Sequence, residues 1–385
     1  MENFLLSFLI TMLWSLIFTC MFLGMRKTKI LRSKVGISGS IVICIILLLR
    51  MAIPFDIGIA RKIEVHWPWF LKWYKTVNME PHHIGSVSLT IMQMTAMIFG
   101  VVAVILVIRF VATYFNQIVI CRQCVMQEAA YEVVLQRICE QLNYHRRILL
   151  VKSSEVDSPM CIGFRTSYII LPETEFSEKE LEYIFIHEIT HLKYHDLYYM
   201  MAANLLNCIF WWNPLTYVVK TELNYALEVR CDIRVTSDYT VEECTTYLQT
   251  ILKVLKNKNR KKKLFVGSTT GFASCGYNRA MEERFRAVLT QEPVNGSSKA
   301  GFHVWCLGMF GLLACSYLFV VTPYYEVNNT DFDLKEEIDS NNVWVTVSES
   351  GEYIVHFWEN GQLVEQKLDE TKFPVVEEYM EVIGE

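Results

Sequence analysis

The chain has 385 residues, of which 52% are hydrophobic and 20% charged, with a net charge of −5 and a mean hydropathy of +0.24. That balance excludes an ordinary soluble enzyme: four apolar runs absorb much of the hydrophobic content and leave about one globular domain's worth of sequence. The net negative charge comes with no nucleic-acid-binding motif, so direct DNA recognition is not expected.

The apolar runs cover residues 4–23, 37–53, 89–112 and 302–322, each near the ~20 residues that a spanning helix needs. Ahead of the first stand Met1 and Glu2 instead of a basic region, and no small-residue cleavage site follows it, so it reads as a retained helix. Arg26, Lys27, Lys29, Arg32 and Lys34 crowd the first connector, and basic connectors stay on the cytoplasmic side, which puts the N-terminus outside. Alternation then places the 54–88 loop outside, residues 113–301 inside and the tail from 323 outside. The charges agree: the inner segment holds 22 Lys and Arg, whereas the tail holds 3 against 16 Asp and Glu. None of the 12 Cys falls in either outer segment, as expected of free thiols in a reducing compartment. In the outer loop Trp67, Trp69, Trp73 and Tyr74 read as an interfacial aromatic belt beside the bilayer. Cys121 and Cys124 make a single C-x-x-C with no second pair, so they read as two helix-face thiols.

Within the inner segment His187-Glu188-Ile189-Thr190-His191 matches H-E-x-x-H. Leu181, Ile184, Phe185, Ile189 and Leu192 recur at helical spacing, and Ser177 with Glu180 forms a capping box at the start. On such a helix His187 and His191 share a face and can present nitrogens to one Zn²⁺, with Glu188 rotated toward the water. Catalytic zinc takes three protein ligands, so a third must come from elsewhere; Glu228 is assigned to the metal and Asp232, four residues on, to bracing a ligand His. Zinc brings the pKa of water toward ~7, and Glu188 is placed to take its proton and pass it to a leaving amine. His195, Tyr198 and Tyr225 are all open as donors to an oxyanion. Residues 197–219 carry no charge over 23 residues and would pass as a fifth span. A single crossing, however, would put Glu228 on the opposite side from the His pair, so the segment either dips into the interface as a broken helix or packs as domain core.

The set His187-Glu188-x-x-His191-x-x-x-His195-Asp196-Leu197, then Trp212-Asn213-Pro214, then Glu228-x-x-Cys231-Asp232 resembles the membrane metallopeptidases of the BlaR/MecR type, signal transducers of beta-lactam resistance. The resemblance covers roughly residues 1–325; the HtpX- and Ste24-type membrane proteases are the alternative. It implies a regulatory zinc endopeptidase with one Zn²⁺ per chain that cleaves a cytosolic BlaI/MecI-like repressor, itself or both, after an outside cue. It also places Asp196 and His195 beside the metal ligands, makes Cys161, Ile162, Gly163 and Phe164 the edge strand that receives substrate, and puts the activating self-cleavage within residues 257–275. Two other readings stay open: a housekeeping protease for damaged membrane proteins, and a transducer whose zinc only stabilises the domain.

Beyond the last apolar run, residues 343–367 alternate apolar and polar through three short runs, with Asn360-Gly361 favouring a tight hairpin. This acidic tail contains no S-x-x-K, so it departs from the penicillin-binding sensor of the family resembled, and its ligand or partner is open. The expectation is thus an α-helical membrane protein with about four transmembrane helices. Residues 1–112 hold three of them, 113–301 form a cytosolic α+β zincin-like (gluzincin) metallopeptidase domain, 302–322 the fourth helix, and 323–385 a small extracellular antiparallel β tail. Its partners are the lipid bilayer, a protein substrate inside and an unknown ligand outside; the oligomeric state is open, a homodimer among the options.

Overall fold

The computed structural model describes residues 4–26, 34–52, 61–78, 81–84, 87–126, 128–256, 277–289, 296–323, 343–347, 353–359 and 362–367. The chain divides into two compact units, Met1–Pro323 and Tyr324–Glu385. The expected self-cleavage region, 257–275, lies outside the described residues.

Four apolar helices frame the first unit: α1 (Phe4–Arg26), α2 (Lys34–Ala52), α4 (Ile91–Gln123) and α11 (Gly296–Leu318). Among the described residues α1 and α4 are long and apolar enough to cross a membrane; α2 and α11 contain shorter apolar stretches, Gly36–Met51 and Val304–Leu318. Helix α4 leaves Ile98, Val101, Val104, Ile105, Ile108 and Phe115 exposed, a surface that water disfavours and lipid accepts. The apolar run expected to end at residue 112 continues in this one helix to Gln123, because Cys121 is buried against Val151, Ile162 and Tyr168 of the domain that follows. The last helix begins at Gly296, ahead of its apolar stretch, and ends at Leu318, where the β-branched and Pro-terminated stretch Phe319–Pro323 becomes strand β7.

Between α2 and α4 lie β1 (Arg61–Val65), the amphipathic helix α3 (Pro68–Asn78), β2 (Pro81–Ile84) and β3 (Val87–Thr90). Tyr74 of α3 is buried against Phe70, Val77 and Met92, while Trp67, Trp69 and Trp73 are exposed. Strand β1 pairs in parallel with β7, Arg61 opposite Phe319 and Val65 opposite Pro323.

The domain next to these helices starts with α5 (Ala129–Gln141) and a three-stranded sheet of β4 (Ile148–Lys152), β5 (Met160–Ile162) and β6 (Ser167–Leu171), in the order β4-β6-β5. Helix α6 (Glu178–Lys193) packs over it; Ser177 caps α6 by accepting from the Glu180 amide at 3.3 Å, and Glu180 accepts from the Ser177 amide at 2.9 Å. Then come α7 (Asp196–Ile209), α8 (Pro214–Val235), α9 (Val241–Lys256) and α10 (Tyr277–Leu289).

Helices α7 and α8 resolve the uncharged segment 197–219 into a helical hairpin. Its turn, Trp211-Trp212-Asn213, packs on the apolar helices: Trp212 lies 5.4 Å from Phe8 of α1, and Trp211 and Trp212 lie 5.6 and 5.8 Å from Phe99 of α4. Asn213 caps α8 by accepting from the Leu215 amide at 3.0 Å, with Pro214 at the first helical position, where its missing N–H costs nothing. The chain therefore runs in along α7 and returns along α8. Helix α2 packs along α8, with Ile41, Cys44, Leu47 and Leu48 meeting Val219, Leu223, Ala226 and Leu227.

At the other end of α2, Arg50 is buried among apolar helices rather than facing water. It donates to Thr11 Oγ1 of α1 at 3.0 Å and to Ser316 Oγ of α11 at 3.1 Å, and lies over the Tyr317 ring at 4.1 Å. The second unit is a three-stranded antiparallel sheet, β8 (Val343–Val347), β9 (Tyr353–Glu359) and β10 (Gln362–Lys367), with Asn360-Gly361 between the paired Glu359 and Gln362.

Hydrogen bonds from a charged group are worth about 1.5 to 3 kcal/mol each, so replacing Arg50 should be felt by all three helices. Arg50→Leu is expected to lower the unfolding temperature in detergent by several degrees, followed by far-UV circular dichroism. An unchanged transition would show that the network does not hold the helices together.

Candidate metal centre

The site is built from two packed helices. His187 and His191 stand one turn apart on α6, and Glu228 and Asp232 one turn apart on α8; all four are buried. The two imidazoles converge with their Nε2 atoms 3.1 Å apart. Glu228 completes the triangle, its Oε2 3.5 Å from His187 Nε2 and its Oε1 3.9 Å from His191 Nε2.

The rear nitrogens explain which atoms point inward. His191 Nδ1 lies 2.8 Å from Asp196 Oδ2, and an ionised carboxylate only accepts, so Nδ1 carries the proton and Nε2 keeps its lone pair. His187 Nδ1 lies 2.8 Å from the Tyr247 hydroxyl of α9, whose single proton goes to Asp232 Oδ1 at 2.7 Å. The hydroxyl therefore accepts from His187 Nδ1–H, and the His187 lone pair also sits on Nε2. Two lone pairs and a carboxylate facing one another in a dry interior repel unless a cation stands between them. Burial would lower the His187 pKa, but Cys231 and Glu228 outweigh it and raise it to about 10, which reflects the negative field at this point.

A tetrahedral Zn²⁺ with bonds of ~2.0 to 2.1 Å has ligand atoms ~3.3 to 3.4 Å apart, close to the 3.1 Å between the two imidazole nitrogens and the 3.5 Å from His187 to Glu228 Oε2. Cys231 Sγ belongs to the same buried group, and His187, His191 and Cys231 bring ligand atoms within 4.8 Å of one another. It lies 3.5 Å from both His187 Nδ1 and the His187 carbonyl oxygen and also interacts with His191, so the thiol stands beside the carboxylate as a second candidate third ligand.

Behind the carboxylates stands Arg284 of α10, 1% exposed. It donates to Asp232 Oδ2 at 2.5 Å and Oδ1 at 2.7 Å, and lies 3.3 Å from Glu228 Oε2. Burial would raise the Glu228 pKa, but Arg284 and then the imidazoles outweigh it and lower it to about 2. Asp196 is shared in the same way, its Oδ1 accepting from Arg230 at 2.5 Å.

Glu188 is buried with its Oε2 lacking a hydrogen-bond partner among the described residues, and burial is the main cause of its raised pKa. Its neighbour is Cys161 of the edge strand β5. Beyond β5, Gly163 takes φ +100°, and a Cβ there would stand 2.2 Å from the Thr166 carbonyl oxygen, so only glycine suits this turn. Gly163, Phe164, His191, His195 and Tyr198 line a small cavity beside the metal site. His195, at φ 60°, caps the start of α7 and sets its ring edge-on to Tyr198 at 5.6 Å. Ile162 points away, into the cluster with Cys121 and Tyr168. Tyr225 packs instead by Ile37, Val229 and Ile233.

Sequence reasoning missed Tyr247 and Arg284. Tyr247 stands between His187 and Asp232, whose direct separation is 3.5 Å, so the bracing expected of Asp232 reaches the imidazole through a phenol.

Paired histidines on one helix, closed by a carboxylate from a second and braced from behind, define the site class of H-E-x-x-H metallopeptidases. A profile of the BlaR1 peptidase M56 family matches residues 75–288, and the chain belongs to that family. It is 28% identical over 221 residues to the methicillin resistance mecR1 protein of Staphylococcus aureus, covering 56% of this chain and 36% of that protein. It is 30% identical over 131 residues to the regulatory protein BlaR1 of Bacillus licheniformis, covering 34% of this chain and 22% of that protein. The chain thus spans 36% and 22% of the length of these two relatives and is of the BlaR/MecR type.

Losing one partner of a buried ion pair costs about 3 to 5 kcal/mol. Arg284→Met, which strands Asp232 and Glu228, is expected to destabilise the metal-free protein by about that much in a denaturant titration. Arg284→Lys should recover only part, since an ammonium cannot reproduce the two-pronged contact. A loss below about 1 kcal/mol, the level of an exposed pair, would contradict the buried clamp.

Proposed function

We propose that this chain is a membrane zinc endopeptidase of regulatory type, with one zinc per chain held by His187, His191 and Glu228. The observation that carries the reading is the convergence of two imidazole lone pairs 3.1 Å apart on a carboxylate, an arrangement that asks for a cation. Asp196 and, through Tyr247, Asp232 fix the imidazole tautomers, and Arg284 steadies the carboxylates.

A bound zinc ion would supply Lewis acidity, activating water and polarising a peptide carbonyl. Glu188 is the proton carrier: its burial raises its affinity for a proton, so it can take one from the attacking water and return it to the leaving amine. An extended substrate adds to the free side of β5, the edge strand of the order β4-β6-β5, where Cys161 touches Glu188 and Gly163 turns the chain toward the cavity.

The four apolar helices span the bilayer in this reading. The pairing of β1 with β7 supports one common side for the 54–88 loop and the segment after α11, and the α7–α8 hairpin keeps Glu228 on the side of the His pair. That side is the cytoplasm, where the basic connectors and free thiols lie. The substrate is a cytosolic repressor of the BlaI/MecI kind, the chain itself or both, and the cue is received outside.

The roles separate by substitution. With protein in lipid discs, metal measured by mass spectrometry and fragments of the chain and repressor followed together, His187→Ala and Glu228→Ala should lose zinc. Glu188→Gln should keep zinc while hydrolysis falls by about 10²-fold or more. Zinc lost from Glu188→Gln but kept by Glu228→Ala would overturn the assignment.

A further inference from the structure

We infer that Arg230 and Arg234, at the base of the α7–α8 hairpin, form a binding site for the phosphate headgroup of an anionic phospholipid in the leaflet nearest the metal centre. The two stand one turn apart on α8, and both are partly exposed. Arg230 is held by Asp196 at 2.5 Å, whereas Arg234 lies flat over the Tyr194 ring at 3.5 Å and makes no salt bridge among the described residues. Two like charges so placed repel, and burial together with Arg230 lowers the Arg234 pKa. A phosphate relieves that repulsion and matches the planar donors of two guanidinium groups.

Depth argues for a lipid. The hairpin turn lies beside Phe8 and Phe99, close to the N-terminal ends of α1 and α4. From Asn213 to Arg234 a helix rises about 32 Å, roughly the thickness of a hydrocarbon core. The arginines therefore stand at headgroup level, and Tyr194 and Tyr199 beside them are 41% and 36% exposed, as aromatic side chains of an interfacial belt are. Arg230 also faces the Tyr199 ring at 6.0 Å.

The site does not depend on catalysis, so lipid binding tests it alone. Full-length protein is exposed to equal phosphatidylglycerol and phosphatidylcholine, and retained lipid is read by native mass spectrometry. Wild type should retain phosphatidylglycerol preferentially, Arg234→Gln should lower that retention about fivefold, and Arg234→Lys should keep most of it. Lys152→Gln, which removes a charge elsewhere, should change nothing. Equal retention of the two lipids by wild type would overturn the proposal without any variant, as would unchanged retention in Arg234→Gln. Complete displacement of phosphatidylglycerol by inorganic phosphate at equal concentration would overturn it in favour of a free-anion site.

Discussion

Two imidazole nitrogens facing each other at 3.1 Å with their protons turned away are the constraint around which the rest of the first unit is arranged. Neither ring can turn aside, because each is tied at the back, one to Asp196 and the other to Tyr247. The pair thus stores an unmet demand for positive charge in a water-poor place, where electrostatic interactions count for more than at a surface. A helix that merely happened to carry two histidines would have no need of such ties.

Each tie reaches a different part of the chain. Asp196 starts the hairpin helix, so the orientation of His191 depends on where α7 leaves α6. Tyr247 belongs to α9 and Arg284 to α10, so the His187 ring and both α8 carboxylates are set by helices that follow the hairpin. Helix α8 in turn lies against α2, whose far end is knotted to α1 and α11 through Arg50. A chain of packed, rigid elements therefore runs from the β1–β7 junction to the carboxylate beside the metal ligands. Such a route becomes a coupling only when both of its ends bias the same two states.

The sequence made the α6 part of the site legible because its chemistry is local: four-residue spacing on a helix puts two side chains on one face whatever the tertiary fold does. Glu228 and Asp232 were legible for the same reason, once two histidines were seen to be one ligand short. Tyr247 and Arg284 were not, since their partners lie 60 and 52 residues away and an amphipathic helix with one tyrosine or one arginine on its buried face carries no local mark. The uncharged stretch 197–219 could be read only by exclusion; that it folds as two helices about Trp211-Trp212-Asn213 depends on aromatic contacts with α1 and α4 that no spacing announces. The end of α4 is not legible in the hydropathy pattern, because the helix runs on past the apolar run to Gln123, where Cys121 packs against the sheet.

The central claim is that a carboxylate, and not a thiol, completes the metal site, and X-ray absorption at the zinc edge of the reconstituted full-length protein tests it most directly. Glu228 and Cys231 are three residues apart and both are buried beside the histidine pair, but oxygen and sulfur scatter differently and at different distances. The account predicts a first shell of nitrogen and oxygen only, at about 2.0 to 2.2 Å, with the signature of two imidazoles. A sulfur atom at about 2.3 Å would contradict it and make Cys231 the ligand.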